Sequence, residues 1–178
     1  MHNDEAVSFI QAMVSDPEAY PDRVVGIVLG SILDERLAQF VKSRLHSHKK
    51  ALDDAFRETG ILRTFASRIT TALLIGAISL ETRDDLIRVK GVRNASAHKI
   101  GAHTFDTQPA CDHIDGLTCL DKHLVFNTPE VIWDFGKPED FPLHDRRARF
   151  IRAVQLLNGM LFLGISMFSK DPKPTPRF

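Results

Sequence analysis

Apolar residues recur at helical spacing along most of this chain. In the stretch 22–46, Ile32, Leu33, Leu37 and Phe40 lie three or four positions apart. That period of 3.6 residues predicts a helix with a buried face. The first half of the stretch is apolar nearly all round, so we expect it to cross the middle of the core. The core candidates over the whole chain are Val28, Ile32, Leu33, Leu37, Phe65, Ile69, Leu73, Leu86 and Val89.

The ends of the other helices are predicted from residues that start and stop helices. Pro21 suits a first helical turn, Ser79 suits an N-cap, and Gly60 suits a left-handed C-terminal cap. Thr107 and Pro109 mark a further helix start. Besides 22–46, the predicted helices cover about 4–14, 49–58, 62–78, 81–98, 107–120 and 144–168.

One long segment lacks a helical period. Residues 121–143 contain three prolines, and only 124–126 and 131–133 could form short extended pieces. Convincing alternating strands are scarce, so the predicted class is all-α, a single-domain bundle of six or seven helices over residues 1–169. Residues 170–178 are rich in proline and charge and predict an extended polar tail.

Composition restricts the function classes. Lys and Arg number 23 and Asp and Glu number 23, so the net charge is zero. Nucleic-acid-binding domains usually carry a basic excess, so direct DNA binding is not favoured. Gly26, Gly30 and Gly76 are isolated in apolar helices and form no phosphate loop, so we expect them to permit close helix approach.

The cellular compartment is predicted from cysteines and apolar runs. Two cysteines in 178 residues make no disulfide framework, and the first residues do not resemble a signal peptide. The longest apolar runs, 72–78 and 160–165, are short of the roughly 20 residues that span a bilayer. We therefore expect a cytoplasmic protein with no membrane partner.

Two blocks of sequence carry a family resemblance. The first runs from Gly60 to Ile69 and continues through 72–78, and the second, Asp85 to His98, ends Arg-Asn-Ala-Ser-Ala-His. Together they resemble the central half of mannitol operon repressor-like proteins, a branch of the HEPN-like helical proteins. The resemblance implies a bacterial, transcription-linked regulator that acts through a protein partner, forms a homodimer and needs no cofactor.

The resemblance also implies a candidate site. In catalytic HEPN-type members, the Arg-x4-His pattern that Arg93 and His98 match resembles a metal-free ribonuclease site that acts on RNA. Attack of a 2′-hydroxyl on the adjacent phosphate, with departure of the 5′-oxygen, needs a base and a cation, which histidine and arginine supply. Asn94 can hold the phosphate or orient the histidine. Asn94 and His98 share a helix face, but Arg93 lies about 140° from His98, so two copies would have to meet at one phosphate.

A structural role is the alternative for the same motif. Asp34 or Glu35 could pair with Arg93, Ala97 would be a close-packing position, and His98 would favour the helix C-terminus. On this interpretation the chain is a regulator or a non-catalytic interaction module. The positions expected to be structural or binding are Asp34, Glu35, Phe65, Arg68, Arg93, Asn94, His98 and Phe105, and of these Arg68 stands where the family usually has lysine.

Metal and DNA sites are weaker candidates. Cys111, His113, Cys119 and His123 fall within thirteen positions, but without the regular pairs of zinc sites. We expect two semi-buried thiols and two surface imidazoles instead. No helix-turn-helix is evident, and solvated helix faces are the favoured explanation of two basic clusters. These clusters are Lys42, Arg44, His46, His48, Lys49 and Lys50, and Arg146, Arg147, Arg149 and Arg152.

Overall fold

Six α-helices form most of the described chain, which confirms the predicted all-α bundle. In the computed structural model they are α1 (Asp22–Arg44), α2 (Lys49–Phe56), α3 (Phe65–Leu74), α4 (Leu80–His98), α5 (Ala110–Asp115) and α6 (Arg146–Phe168). The structure describes residues 19–45, 48–98, 103–122, 125–127, 132–134, 136–140 and 142–168, together with Ser8 and Ala12. The rest of the predicted helix 4–14 and the predicted tail 170–178 lie outside these ranges.

Short elements connect α5 to α6. Turns of 3-10 helix lie at Cys119–Asp121 and Pro138–Asp140. Between them, β1 (Val125–Asn127) pairs antiparallel with β2 (Ile132–Asp134), with Phe126 opposite Trp133. The two extended pieces expected in this segment are thus present, one residue later than predicted, as a minimal hairpin on a helical fold.

Helix α1 crosses the middle of the core, as its apolar first half predicts. It packs along α6 on one side and α4 on another, and α3 also contacts it. Leu29, Leu33 and Leu37 are completely buried in this position. Of the nine predicted core residues, only Val28 and Leu73 are half-buried rather than buried.

Two glycines of α1 allow α4 to approach closely. A Cβ added at Gly26 would lie 2.2 Å from Ser96 Oγ, and one added at Gly30 would lie 2.7 Å from Arg93 Cβ. A Cβ atom essentially never comes within 3.0 Å of such atoms, so these positions require glycine for the observed helix spacing. The expected role of Gly26 and Gly30 is confirmed.

The end of α3 differs from the prediction. The apolar period suggested a helix to residue 78, but α3 ends at Leu74. Gly76 has φ +67°, and the amides of Gly76 and Ala77 donate to the carbonyls of Leu73 and Ala72. This is a Schellman termination, which favours glycine because its left-handed backbone costs little there. Gly76 therefore ends a helix instead of packing against one.

Gly60 has a different role from the one its position suggested. It does not have the left-handed backbone that was expected, because Gly76 and Gly136 alone among the described residues have a positive φ. A Cβ at Gly60 would lie 2.2 Å from the carbonyl oxygen of Ala55, so glycine is needed for close approach to the backbone of α2.

The predicted helix 107–120 is interrupted by a buried carboxylate. Helix α5 covers only Ala110–Asp115, and Asp85 of α4 lies behind the following turn with 2% of its surface exposed. Asp85 accepts hydrogen bonds from the Thr118 amide, the Thr118 hydroxyl and the Cys119 amide, at 2.8–3.0 Å. These bonds fix the turn that begins the 3-10 helix, because a buried carboxylate needs such donors.

Replacement of Gly30 by alanine should destabilise the protein. Overpacking against Arg93 costs about 1–3 kcal/mol, which exceeds the gain of up to about 1 kcal/mol from helix propensity. We expect urea denaturation to show a net loss of about 1–2 kcal/mol. Ser31→Ala is the matched control, because the half-exposed Ser31 hydroxyl bonds only to Ile27 of its own helix. A Gly30→Ala protein as stable as the wild type would contradict the close packing.

Candidate functional site

The arginine of the Arg-x4-His motif is directed towards α1. Its stem packs over Gly30, and its guanidinium Nη1 lies 3.6 Å from Asp34 Oδ2. About a third of the Arg93 side chain is exposed. Of the two carboxylates expected as partners, Asp34 makes the contact, whereas Glu35 is exposed and accepts a long hydrogen bond from Gln39.

Asp34 also binds a second arginine. Arg68 of α3 donates from Nη1 to Asp34 Oδ1 at 2.6 Å, and both side chains are only 13–14% exposed. Two further hydrogen bonds run from Arg68 to the carbonyls of Leu62 and Arg63. Asp34, Arg68 and Arg93, the Asp34 cluster, therefore join α1, α3 and α4. Burial raises the pKa of the Asp34 carboxyl, and the two arginines oppose that rise.

The rest of the motif faces solvent. Asn94 and His98 are exposed on α4, four residues apart, and Ala97 beside them is exposed too. The expectation that Ala97 packs closely is therefore wrong, and Ala95 and Ser96 occupy the buried side instead. Helix geometry explains the division, because Arg93 and His98 project in directions about 140° apart. Within the chain, the motif does not form a single convergent site.

The two phenylalanines of the family pattern are core residues. Phe65 begins α3 and is 4% exposed. Phe105 is 1% exposed, and its ring centroid lies 5.1 Å from that of Phe150. Its amide donates to Asp22 Oδ2, which fixes the segment after α4 against the start of α1. Both side chains stabilise the fold and have no surface on which to bind a ligand.

The described members of the metal candidate do not form a site. Cys111 and Cys119 are buried free thiols, while His113 packs its imidazole over Gly91 of α4. Burial and the adjacent Asp85 raise the pKa of the Cys119 thiol well above its ordinary value. Burial also lowers the pKa of His113. Among the described residues no three His, Cys, Asp or Glu side chains could hold a metal ion, and His123 lies outside them.

The first basic cluster is largely solvated, as expected. Lys42, His48, Lys49 and Lys50 are exposed, and His46 lies outside the described residues. His48 Nδ1 accepts from the Ala51 amide and so caps α2. Two other members of the cluster stack on aromatic rings of the fold. Lys42 lies over the ring of Phe56, and Arg44 lies over that of Phe40, each at 4.7 Å.

The second basic cluster is structural, which corrects the expectation of a solvated face. Arg152 is buried, and the other three arginines are half-buried. Each binds a group of its own chain, because the start of α6 is fixed against α1, α5 and the loops around it. The contacts are Arg146 to Asp106 and Asp115, Arg147 to Asp22 and the Tyr20 carbonyl, Arg149 to the Leu143 carbonyl, and Arg152 to the Gly136 carbonyl.

Sequence reasoning missed an exposed apolar surface between α3 and α4. Leu74, Ile75 and Leu80 are 79%, 42% and 65% exposed, although each is large and aliphatic. We call these three residues the apolar corner. Gly76 is the sequence signal that could have revealed this surface. A helix that ends at this glycine leaves the apolar residues just before it, Leu74 and Ile75, outside the core.

Helix α6 passes a length and composition test for a membrane span. Its segment Arg146–Ser166 has a mean hydropathy of 1.3, and 56% of that window is buried inside the protein. Core helices of soluble proteins pass the same test, and α6 packs along α1 in the core. Packing inside the protein thus covers just over half of this window.

Comparison of the chain with protein-family models, with curated proteins and with solved structures finds no match. The resemblance to the mannitol operon repressor family thus stays a prediction from the motifs.

Removal of Arg68 should cost more than removal of its partner. Arg68→Met leaves a shielded carboxylate with one weaker partner, so we expect a loss of about 3 kcal/mol. Asp34→Asn should cost about 1 kcal/mol, since Arg68 keeps the Leu62 and Arg63 carbonyls. Chemical denaturation of both variants tests this order.

The same variants carry a pH signature. Without Arg68 the pKa of Asp34 should rise further, so the folded state holds a proton that the unfolded state has released. The stability of Arg68→Met should therefore fall as the pH increases from about 4 towards neutrality. The Asp34→Asn/Arg68→Met double variant lacks the titrating carboxyl and should show no such fall. A flat profile for the single variant would mean that Arg68 does not compensate Asp34.

The buried thiols should be inert in the native protein. Cys111 and Cys119 are each less than a tenth exposed, and Cys119 resists ionisation. We expect an aromatic disulfide reagent to react at least about a hundredfold more slowly with native than with urea-unfolded protein. Cys111→Ser and Cys119→Ser variants assign the rates. Rapid native labelling of Cys119 would place it outside the core.

Proposed function

We propose that this chain is a regulatory protein of the mannitol operon repressor type, which acts by contacting another protein. The apolar corner is the observation that carries the proposal. Leu74 and Leu80 are both more than 60% exposed, one at the end of α3 and one at the start of α4, and exposed aliphatic side chains are what protein contact sites bury. The occupant we propose is an apolar surface of a separate protein partner, since the corner carries no charge of its own.

The ion pair between Arg93 of the motif and Asp34 supports this proposal. Arg93 is partnered by Asp34, and Asp34 by Arg68, so the arginine has a structural role within the monomer. A regulator that acts by binding another protein needs a stable helical bundle to present its contact surface. It needs no reaction centre. The Asp34 cluster therefore supports the structural alternative for Arg93.

The distribution of basic residues argues against a direct DNA reader. The arginines at the start of α6, which are the densest basic cluster of the chain, bind carboxylates and carbonyls of the protein itself. Phosphate contacts need arginine or lysine side chains that are free to reach the backbone of the duplex. With zero net charge, the protein is better suited to binding a DNA-bound partner than to binding DNA.

Transcript profiling of the native host tests the proposal. The gene is deleted and complemented with wild type, with Leu74→Gln/Leu80→Gln, or with Ile61→Gln. Ile61 is the matched control because it is 81% exposed but lies in the α2–α3 connection. We expect deletion to change a defined set of transcripts, and we expect wild type and Ile61→Gln to restore them. The corner variant should fail while keeping its melting temperature within a few degrees.

Two outcomes would contradict the proposal. One is a transcript profile that deletion leaves unchanged, which would remove the regulatory role. The other is full complementation by Leu74→Gln/Leu80→Gln, which would separate the regulation from the apolar corner.

A metal-independent endoribonuclease is the second candidate. The observation in its favour is the position of Asn94 and His98, which are exposed on the same face of α4 at the end of the helix. An exposed imidazole near a flexible amide can transfer a proton to a bound ribose. Arg93 is a third exposed and could stabilise a phosphate only if a second copy placed it beside His98.

RNA cleavage assays distinguish the two candidates. The regulatory proposal expects no cleavage above background by the wild type. It also expects His98→Gln to change neither regulation nor stability appreciably, because His98 is exposed. Chelator-resistant cleavage that falls by roughly 10²–10⁴-fold in a well-folded His98→Gln protein would instead establish the nuclease.

A further inference from the structure

A polar cavity lies at the start of α6, away from both the Arg-x4-His motif and the apolar corner. Its volume is about 380 Å³, near the lower end of the range for small-molecule sites. Its described lining comes from three places: Asp106 in the segment after Phe105, Asp115 at the end of α5, and residues 143–149. Leu143 is the one aliphatic residue in that lining.

Most of the charged groups in this lining are paired with each other. Arg146 donates from Nε and Nη2 to both oxygens of Asp115 at 2.9 and 2.7 Å, and from Nη1 to Asp106 Oδ1 at 2.8 Å. The two oxygens of Asp145 accept from the amides of Arg147 and Ala148 and so cap α6. These pairs hold the walls of the cavity in place without a ligand.

Arg149 is the exception. Its Nη1 donates to the Leu143 carbonyl at 3.4 Å, the long end of the hydrogen-bond range, and its Nε is buried with no hydrogen-bond partner. It makes no ion pair with any carboxylate that the structure describes. A guanidinium in this state retains donors for a carboxylate or phosphate group. The cavity therefore contains one cation whose bonding capacity the described groups of the protein use only in part.

A group of opposite charge also lines the cavity. Asp106 is 77% exposed and uses only Oδ1 to bind Arg146. Arg146 already offsets Asp115 and one oxygen of Asp106, so the groups left for a ligand are the Arg149 guanidinium and the second oxygen of Asp106. A ligand that carries both charges meets both groups.

We propose that this cavity binds a small zwitterion, an α-amino acid with a polar side chain. Its carboxylate binds Arg149, and its ammonium group binds Asp106. A polar side chain suits the remaining lining, because His144 and Asp145 contribute polar groups and Leu143 is the sole aliphatic contact. The proposal does not rest on the regulatory function, and the site is separate from the apolar corner.

Isothermal titration of the full chain tests this site. The probes are L-serine, L-asparagine, L-glutamine and L-glutamate, with acetate, methylammonium and inorganic phosphate as single-charge controls. We expect saturable binding of at least one amino acid and none of the three controls. Arg149→Met and Asp106→Asn should each weaken that binding about ten-fold or more, because each removes one charged contact.

A matched pair of controls is available on α2. Arg57 and Asp54 form an exposed ion pair at 3.4 Å outside the cavity, so Arg57→Met and Asp54→Asn remove the same chemical groups elsewhere. Both should bind the amino acid as the wild type does. If Arg149→Met fails to fold, Asp106→Asn decides, since its side chain is mostly in solvent and its amide still accepts from Arg146.

Three results would overturn the proposal. The first is no binding of any of the four amino acids. The second is binding that survives Asp106→Asn and Arg149→Met unchanged. The third is binding of acetate or phosphate as tight as that of the best amino acid, which would make the cavity an anion site. None of these results bears on the transcript test of the regulatory proposal.

Discussion

The close contact between α1 and α4 determines where the charged side chains of the motif can lie. Gly26 and Gly30 bring the two helix backbones together, and no other residue leaves room for Ser96 and for the stem of Arg93. At that spacing the Arg93 guanidinium reaches Asp34 one turn further along α1. Arg68 then approaches Asp34 from α3, so the packing of three helices depends on the missing side chains of two glycines.

The same constraint explains how a chain of zero net charge uses its arginines. Burying a carboxylate such as Asp34 or Asp85 is unfavourable unless donors surround it, and arginines and backbone amides supply them. At the start of α6, Arg146 and Arg147 similarly connect α6 to α5 and α1 through Asp115 and Asp22. Some of the 23 basic and 23 acidic residues are thus paired with each other within the protein.

The sequence predicted most helices because apolar spacing reports burial directly. Helices α1, α2, α4 and α6 begin and end within about two residues of prediction, and Ser79 caps α4 as expected. The errors have two different causes. Asp85 bonds to the turn after α5 across 33 positions of the chain, a long-range contact that no spacing rule reveals. Gly76 ends α3 inside an apolar run through its own left-handed backbone, a local signal that apolar spacing alone does not report.

For the candidate site, the directions of the side chains on α4 could be predicted from the sequence, but the residues that they contact could not. The angle of about 140° between Arg93 and His98 follows from five residues of helix, and it already separates the two side chains. Which of them turns inward depends on which face of α4 meets the glycines of α1, a fact of tertiary packing. Because Arg93 takes the inward direction, its guanidinium is not directed to the exposed face of α4 that Asn94 and His98 occupy. In this chain the Arg93 half of the pattern therefore serves the α1–α4 packing, since its stem lies over Gly30 and its guanidinium lies beside Asp34.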